Sequence, residues 1–128
     1  MQIKIAPSIL SADFANLQRD IQRISTADYV HVDVMDGIFV PNLSIGIPVV
    51  QSIRPVTTLP LDVHLMISQP ENYVDDFLKA GADLVNFHVE SQGDLFSLIQ
   101  KVKAAGRKVA LTIKPATPAE ALFPYLPQ

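Results

Sequence analysis

Two short segments of this chain place imidazole, carboxylate and thioether groups at alternate positions. His31, Asp33 and Met35 are two residues apart, and His64 and Met66 repeat that spacing. Alternate side chains of a strand point to the same face, so each segment predicts one polar and sulfur-containing stripe. Burying an imidazole or a carboxylate without a partner costs free energy. The pattern therefore predicts that these groups bind a metal ion or a substrate, and the two stripes could converge on one ion.

The elements that carry these stripes alternate between strand and helix. Short β-branched runs predict five strands, each followed by a segment with the apolar spacing of a helix. Such alternation through short connections is typical of a parallel sheet covered by helices, either doubly wound or closed as a (β/α)₈ barrel. The predicted strands span residues 3–9, 29–35, 60–67, 83–90 and 107–114.

Several helix boundaries are also predicted. The first helix has an apolar stripe from Phe14 to Ile24, with Ser11 or Asp13 as its cap. Residues 68–71 and 117–120 each resemble a capping box, which would begin the third and fifth helices. Further predictions are Pro48 near the start of the second helix, Val74, Phe77 and Leu78 as the buried face of the third, and Gly81 as its end.

Polar side chains lie at or near the carboxyl ends of successive predicted strands. A barrel gathers all these ends around one mouth, whereas a doubly wound sheet offers one crevice at its switch point, so the barrel is favoured. At about 25 residues per unit, eight units need roughly 200 residues or more. We therefore expect residues 1–128 to be the N-terminal part of a single barrel domain. The polar residues are Ser8, His31, Asp33, His64, His88, Glu90 and Lys114.

Composition narrows the classes of function. The 128 residues are 48% hydrophobic and 18% charged, with a formal net charge of -3, which is typical of a globular protein. The ten Lys and Arg residues form no basic cluster, so nucleic-acid binding is not expected. No apolar run is long enough for a membrane span, and a cytoplasmic location is expected. Because cysteine is absent, any metal must be held by His and carboxylate groups.

Four motifs follow each other along successive predicted strands: APSILSADF at 6–14, HVDVMDGIFVPN at 31–42, DVHLM at 62–66 and FHVE at 87–90. Together they closely resemble the ribulose-phosphate 3-epimerase family, and KPATPAE at 114–120 resembles the family's fifth strand and following helix. The resemblance covers essentially the whole chain, and its specificity comes from the order of the motifs along successive strands. It implies a (β/α)₈ barrel of the ribulose-phosphate-binding type that binds one divalent metal and interconverts D-ribulose 5-phosphate and D-xylulose 5-phosphate.

The resemblance also implies roles for individual residues. Asp33 would be one of two acid/base groups and a metal ligand together with His31 and His64, for Zn²⁺, Fe²⁺, Mn²⁺ or Co²⁺. Ser8 and His64 would contact the sugar-phosphate substrate, and Met35 and Met66 would line the enediolate. Residues 36–42 would form a loop that excludes water.

Some features depart from the family or stay open. The family's second acid/base Asp, which is also its fourth metal ligand, and its Gly-rich phosphate loops have no counterpart here, and Ile38 replaces a residue that is often polar. Met35 and Met66 could instead fill the core. His88 and Glu90 could support the ligands or form a purely structural pair, and Lys114 receives no role.

Alternative functions and an expected assembly follow from these departures. An allulose-6-phosphate 3-epimerase and a non-catalytic, metal- or partner-binding half-barrel remain possible. We expect this chain to be inactive alone. We also expect it to form homo-oligomers or pair with a complementing C-terminal fragment, because an open barrel has two unpaired edges and would expose Val32 or Val34 on its concave face.

Overall fold

Four parallel strands form one sheet whose spatial order follows the sequence. The computed structural model describes residues 1–128, and each strand pairs with the next one along the chain. This order has no reversal, and a reversal is the mark of a doubly wound sheet. The prediction of an α/β fold of the partial-barrel kind is therefore confirmed. The strands are β1 (Val30–Met35), β2 (Leu61–Met66), β3 (Leu84–His88) and β4 (Lys108–Thr112).

The predicted strand over residues 3–9 is not formed as a regular strand. The segment runs beside β1, where the Ile5 carbonyl accepts hydrogen bonds from the backbone N–H groups of residues 28 and 29. A single bridge pairs Ser8 with His31. Pro7 has no N–H to donate to a ladder, and a 3₁₀ helix begins immediately afterwards at Ile9–Ser11. The segment nevertheless places Ser8 beside His31.

Four α-helices alternate with the strands, and most predicted buried positions are confirmed. Pro48 lies in the first turn of the second helix, and Val74, Phe77 and Leu78 are buried in the third. Phe14 is different, because it lies in a separate 3₁₀ turn capped by Asp13 and is exposed. The helices are α1 (Leu17–Arg23), α2 (Ile47–Ile53), α3 (Val74–Ala80) and α4 (Leu95–Ala104). None of them has the length and apolar character needed to cross a bilayer.

Both predicted capping boxes are wrong. The third helix begins at Val74, after a 3₁₀ turn at Pro70–Asn72 that has no side-chain cap. The segment from Ala119 to Tyr125 is a 3₁₀ helix that follows Pro118, again without a side-chain cap. The predicted end of α3 is confirmed, since Gly81 has a φ of +115°, which strongly favours glycine.

The hydrophobic core lies between the sheet and its helices. Val32 and Val34 belong to this core and are at most 5% exposed, so the prediction that they face an open concave surface is wrong. Strand alternation explains the outcome, because the residues between His31, Asp33 and Met35 must point to the opposite, helix-covered face. We call the other face, which carries His31, Asp33, His64 and His88, the histidine face.

Candidate metal centre and active site

Two neighbouring strands bring His31, Asp33 and His64 together on the histidine face. The register pairs Asp33 of β1 with His64 of β2. Asp33 Oδ1 lies 3.1 Å from His31 Nε2 and 3.2 Å from His64 Nδ1. One ligand atom from each of the three residues lies within 4.8 Å of the others. The stripes that the spacing predicts on separate strands thus meet at one point.

The charges within this cluster reinforce each other. Hydrogen bonds from His31, His64 and Ser8 hold the pKa of Asp33 far below its usual range. Hydrogen bonds with Asp33 and Asp62 raise the pKa of His31 to about 9. In the metal-free protein the carboxylate is therefore ionised and His31 is protonated at neutral pH. A metal ion would bind to the ionised Asp33 and would displace the proton from His31.

The donor set fits a divalent transition metal. Two imidazole nitrogens and one carboxylate oxygen suit Zn²⁺, Fe²⁺, Mn²⁺ or Co²⁺ better than they suit Ca²⁺, because Ca²⁺ prefers ligands that are all oxygen. His31 Nδ1 lies 2.7 Å from Asp62 Oδ2, which leaves Nε2 directed at Asp33. A carboxylate behind a histidine is the usual support for a metal ligand. Asp62 was missed as a functional residue, although it lies two residues before His64 on the same stripe.

The other predicted site residues surround this cluster. The Ser8 hydroxyl donates a hydrogen bond to Asp33 Oδ2. Met35 and Met66 lie opposite each other in the register of β1 and β2. Met66 is 8% exposed, yet it does not join the core between sheet and helices. Both thioethers thus lie on the histidine face, which leaves their predicted contact with substrate as an expectation.

The loop after β1 is anchored at both of its sides. Asp36 Oδ1 accepts hydrogen bonds from the N–H groups of Ile38 and Phe39, at 2.9 and 2.8 Å, and Oδ2 accepts one from Ser68 at 2.8 Å. Burial opposes ionisation of Asp36, but these backbone donors together lower its pKa. Lys114 Nζ donates to the Phe39 carbonyl at 2.9 Å and lies 3.8 Å from the ring centroid. Lys114, to which the sequence pattern assigns no role, therefore connects this loop after β1 to the segment after β4.

His88 and Glu90 extend the cluster onto β3. His88 Nε2 lies 2.7 Å from His64 Nε2, and the two rings stack with centroids 4.8 Å apart. His88 Nδ1 lies 3.1 Å from Glu90 Oε1. Burial lowers the pKa of His88, although Glu90 acts in the opposite direction. The sequence is compatible with a supporting or a structural role for this pair, and in the structure His88 contacts His64 directly while Glu90 contacts His88.

The fold and the site together define a class. A parallel α/β sheet in sequential strand order carries a His/Asp/His cluster suited to a divalent metal, as in metal-dependent barrel enzymes. A model of the ribulose-phosphate 3 epimerase family matches residues 4–128. The chain belongs to this family.

Relatives with curated descriptions agree with that assignment. The ribulose-phosphate 3-epimerase of Bacillus subtilis (strain 168) is 50% identical over 122 residues, which are 94% of this chain and 56% of the relative. The chloroplastic ribulose-5-phosphate-3-epimerase of Arabidopsis thaliana is 50% identical over 124 residues, 94% of this chain and 44% of the relative. The cytoplasmic isoform of ribulose-phosphate 3-epimerase from Oryza sativa subsp. japonica is 49% identical over 126 residues, which are 96% of this chain and 55% of the relative. The chain spans about half the length of these relatives.

Proposed function

We propose that this chain is the N-terminal part of a metal-dependent ribulose-phosphate 3-epimerase, which interconverts D-ribulose 5-phosphate and D-xylulose 5-phosphate. The observation that carries the proposal is the meeting of His31, Asp33 and His64 within 4.8 Å, in a chain of this family. Relatives that are about half identical carry the name of this activity, which supports the choice of substrate.

The chemistry requires groups that move a proton at C3 of the ketose phosphate. The C2 carbonyl makes the C3 proton acidic, and inversion requires its removal on one face and the return of a proton on the other. Asp33 is the proposed group for one of these faces. Its lowered pKa makes it a weak base, and close placement at the reacting carbon offsets this through effective molarity.

His31, Asp33 and His64 are the residues that would hold the metal. A bound divalent cation supplies Lewis-acid stabilisation of the enediolate oxygens. Ser8 donates a hydrogen bond to Asp33 Oδ2, through which it would orient Asp33, and it would also contact the substrate. Met35 and Met66 would line the enediolate with polarizable sulfur.

The loop over residues 36–42 would exclude water from the carbanion-like intermediate. Its two anchors, the hydrogen bonds of Asp36 and the contact between Lys114 and Phe39, support this role. Exclusion of water protects the intermediate from protons of the solvent, which would otherwise compete with the enzyme's own acid groups.

The remaining parts of the proposal concern the whole protein. The chain spans about half the length of its relatives, and we propose that the second acid/base group implied by the family resemblance lies in the other half. We propose a cytoplasmic enzyme whose barrel is completed by a C-terminal half, on the same or a separate chain, or through self-association. Losing a proton-transfer group commonly lowers the rate by about 10²- to 10⁴-fold, so the chain alone should be nearly inactive.

A complementation assay tests this function. The chain is loaded with Zn²⁺ and assayed alone and after mixing with the C-terminal half of the Bacillus subtilis relative, with ribulose 5-phosphate and with allulose 6-phosphate. We expect activity towards ribulose 5-phosphate in the mixture and not in the chain alone. The Asp33→Asn mixture should lose this activity. The control mixture with Asp75→Asn should keep it, because the Asp75 carboxylate pairs only with Lys101 on the surface. A stable but inactive mixture, or full activity of the Asp33→Asn mixture, would refute the proposal. Turnover by the chain alone near the level of full-length relatives would refute the predicted need for a second half.

A further inference from the structure

A row of hydrogen-bonding groups leads away from the metal centre across β3 to the end of β4. It begins at His64, whose Nε2 lies 2.7 Å from His88 Nε2. His88 Nδ1 lies 3.1 Å from Glu90 Oε1, and Glu90 Oε2 accepts a hydrogen bond from the Lys114 backbone N–H at 3.0 Å. Each group in the row therefore has a partner on both of its sides.

The positions of the protons in this row follow from the geometry. The proposed metal ligand of His64 is Nδ1, the nitrogen that faces Asp33. A metal at Nδ1 leaves the proton of this imidazole on Nε2, which must then donate to His88 Nε2. His88 can accept there only when its own proton is on Nδ1, from which it donates to Glu90. With a metal at Nδ1 of His64, the only consistent order of donors is therefore from His64 to His88 and from His88 to the Glu90 carboxylate.

We propose that His88 and Glu90 are positioning residues that fix the tautomer and the ring orientation of the metal ligand His64. The inference rests on the metal site of the proposed function. Each histidine ligand would then be supported by a carboxylate. Asp62 contacts His31 directly, whereas Glu90 acts on His64 through the imidazole of His88. Groups that support a ligand in this way typically change metal affinity by about 10- to 100-fold when they are removed.

The surroundings of His88 restrict its movement. It is the one polar or charged residue among the buried residues of the chain, with 6% of its surface exposed. The His64 ring stacks against it with an interplanar angle of 17°, and the Phe39 ring contacts it at a centroid distance of 5.0 Å. The Lys114 N–H holds Glu90 from the far side. Little freedom is left for His88 to turn away from His64.

A purely structural pair would behave differently. If His88 and Glu90 only stabilised the sheet, their substitution would lower the stability of the metal-free and the metal-loaded chain by the same amount. If they position His64, substitution lowers zinc affinity and shrinks the stabilisation that zinc adds, because that stabilisation depends on the ratio of zinc concentration to Kd.

The test compares zinc binding by three variants of the full chain. His88→Phe keeps a ring of similar size and removes both nitrogens, whereas Glu90→Gln keeps the shape and removes the charge and one acceptor. Glu120→Gln, at an exposed position in the 3₁₀ helix near the C-terminus, is the control. Zinc affinity is measured by competition with a chromogenic chelator, and the unfolding midpoint is measured in EDTA and in excess zinc.

We expect a loss of zinc affinity of about 10- to 100-fold in His88→Phe and about tenfold in Glu90→Gln, with no change in Glu120→Gln. We also expect ¹⁵N NMR of the zinc-loaded chain to show a proton on His64 Nε2. Unchanged zinc affinity in Glu90→Gln and in any folded His88→Phe, or a proton on His64 Nδ1, would overturn the inference and leave the proposed metal site intact. Absence of zinc binding by the unsubstituted chain would overturn both.

Discussion

Arg54 joins segments at the amino-terminal ends of the strands, and its loss should destabilise the fold without touching the metal centre. It directly follows α2, and its guanidinium reaches the residues that lead into β2 and β3. Its partners are Asp83 Oδ2 at 2.5 Å and the carbonyls of Gly81 at 3.2 Å, Thr57 at 3.0 Å and Leu59 at 2.8 Å. We predict that Arg54→Met, which keeps much of the aliphatic stem, lowers the free energy of unfolding by about 2–3 kcal/mol.

The magnitude follows from what each partner loses. A net hydrogen bond contributes about 0.5–1.5 kcal/mol, so three carbonyl acceptors give about 1.5–4.5 kcal/mol. The Arg54 side chain is 27% exposed, so water replaces part of this. The ion pair adds at most about 1 kcal/mol because Asp83 is 37% exposed. Asp83 also keeps two other donors, the Leu61 N–H at 2.9 Å and Arg107 Nη1 at 3.2 Å, which limits the cost of losing Arg54.

Urea unfolding in EDTA measures this effect apart from any contribution of metal. With a slope of about 1–3 kcal/mol per molar urea, the predicted loss lowers the midpoint by about 0.7–3 M. The matched control is Arg19→Met, since the Arg19 guanidinium pairs only with Asp13 and Asp20 at the surface. We expect no resolvable shift for the control. Equal midpoints for Arg54→Met and Arg19→Met would refute the reasoning.

Three further predictions concern the metal centre and the assembly. The protonated form of His31 stabilises the metal-free fold below its ordinary pKa of 6.5, and this stabilisation is lost as the pH rises to about 9. The urea midpoint in EDTA should therefore fall over that range, and a fall of the same size in His31→Gln would contradict this. By calorimetry, His64→Ala should lower zinc affinity at least tenfold more than His88→Ala, because it removes a ligand rather than a support; equal losses would count against the ligand assignment. Analytical ultracentrifugation should show self-association of the isolated chain, and a compact monomer with a cooperative, high-temperature transition would contradict the expected open edges.

Periodicity in the sequence predicts the elements whose burial is regular. Apolar spacing predicts the buried stripe of α3 and the strands β1 to β4, because the side chains of the helix and of the sheet pack against each other in one core. The errors fall where local chemistry decides. Pro7 cannot donate to a ladder, and the predicted first strand is reduced to one bridge. Ser68 does not cap a helix, and its backbone N–H donates to Asp36, which lies 32 positions earlier. A contact so distant in sequence gives no local signal.

The candidate site shows the same division. The alternate spacing of His31 and Asp33 is sufficient to predict that these two side chains share a face, because the geometry of a single strand fixes it. That His64 joins them does not follow from spacing within one strand. The supporting partners require the register between strands, which pairs Asp33 with His64 and His31 with Asp62. Lys114 lies 75 positions from Phe39, so its contact with the loop depends on the whole sheet being assembled.

The location of exposed apolar surface bears on how the chain would associate. The expectation of an apolar concave face fails because Val32 and Val34 pack against helices, while the histidine face carries polar groups. Exposed apolar side chains lie along the edges, at Ile3 and Ile5 beside β1 and at Leu126 near β4, and also in the loop after β1, at Ile38 and Leu43. Association driven by burial of apolar surface would therefore cover the edges of the sheet, the loop after β1, or both. Association at the edges alone would leave the His/Asp/His cluster accessible to metal, so zinc binding that is unchanged on self-association would favour the edges over the loop.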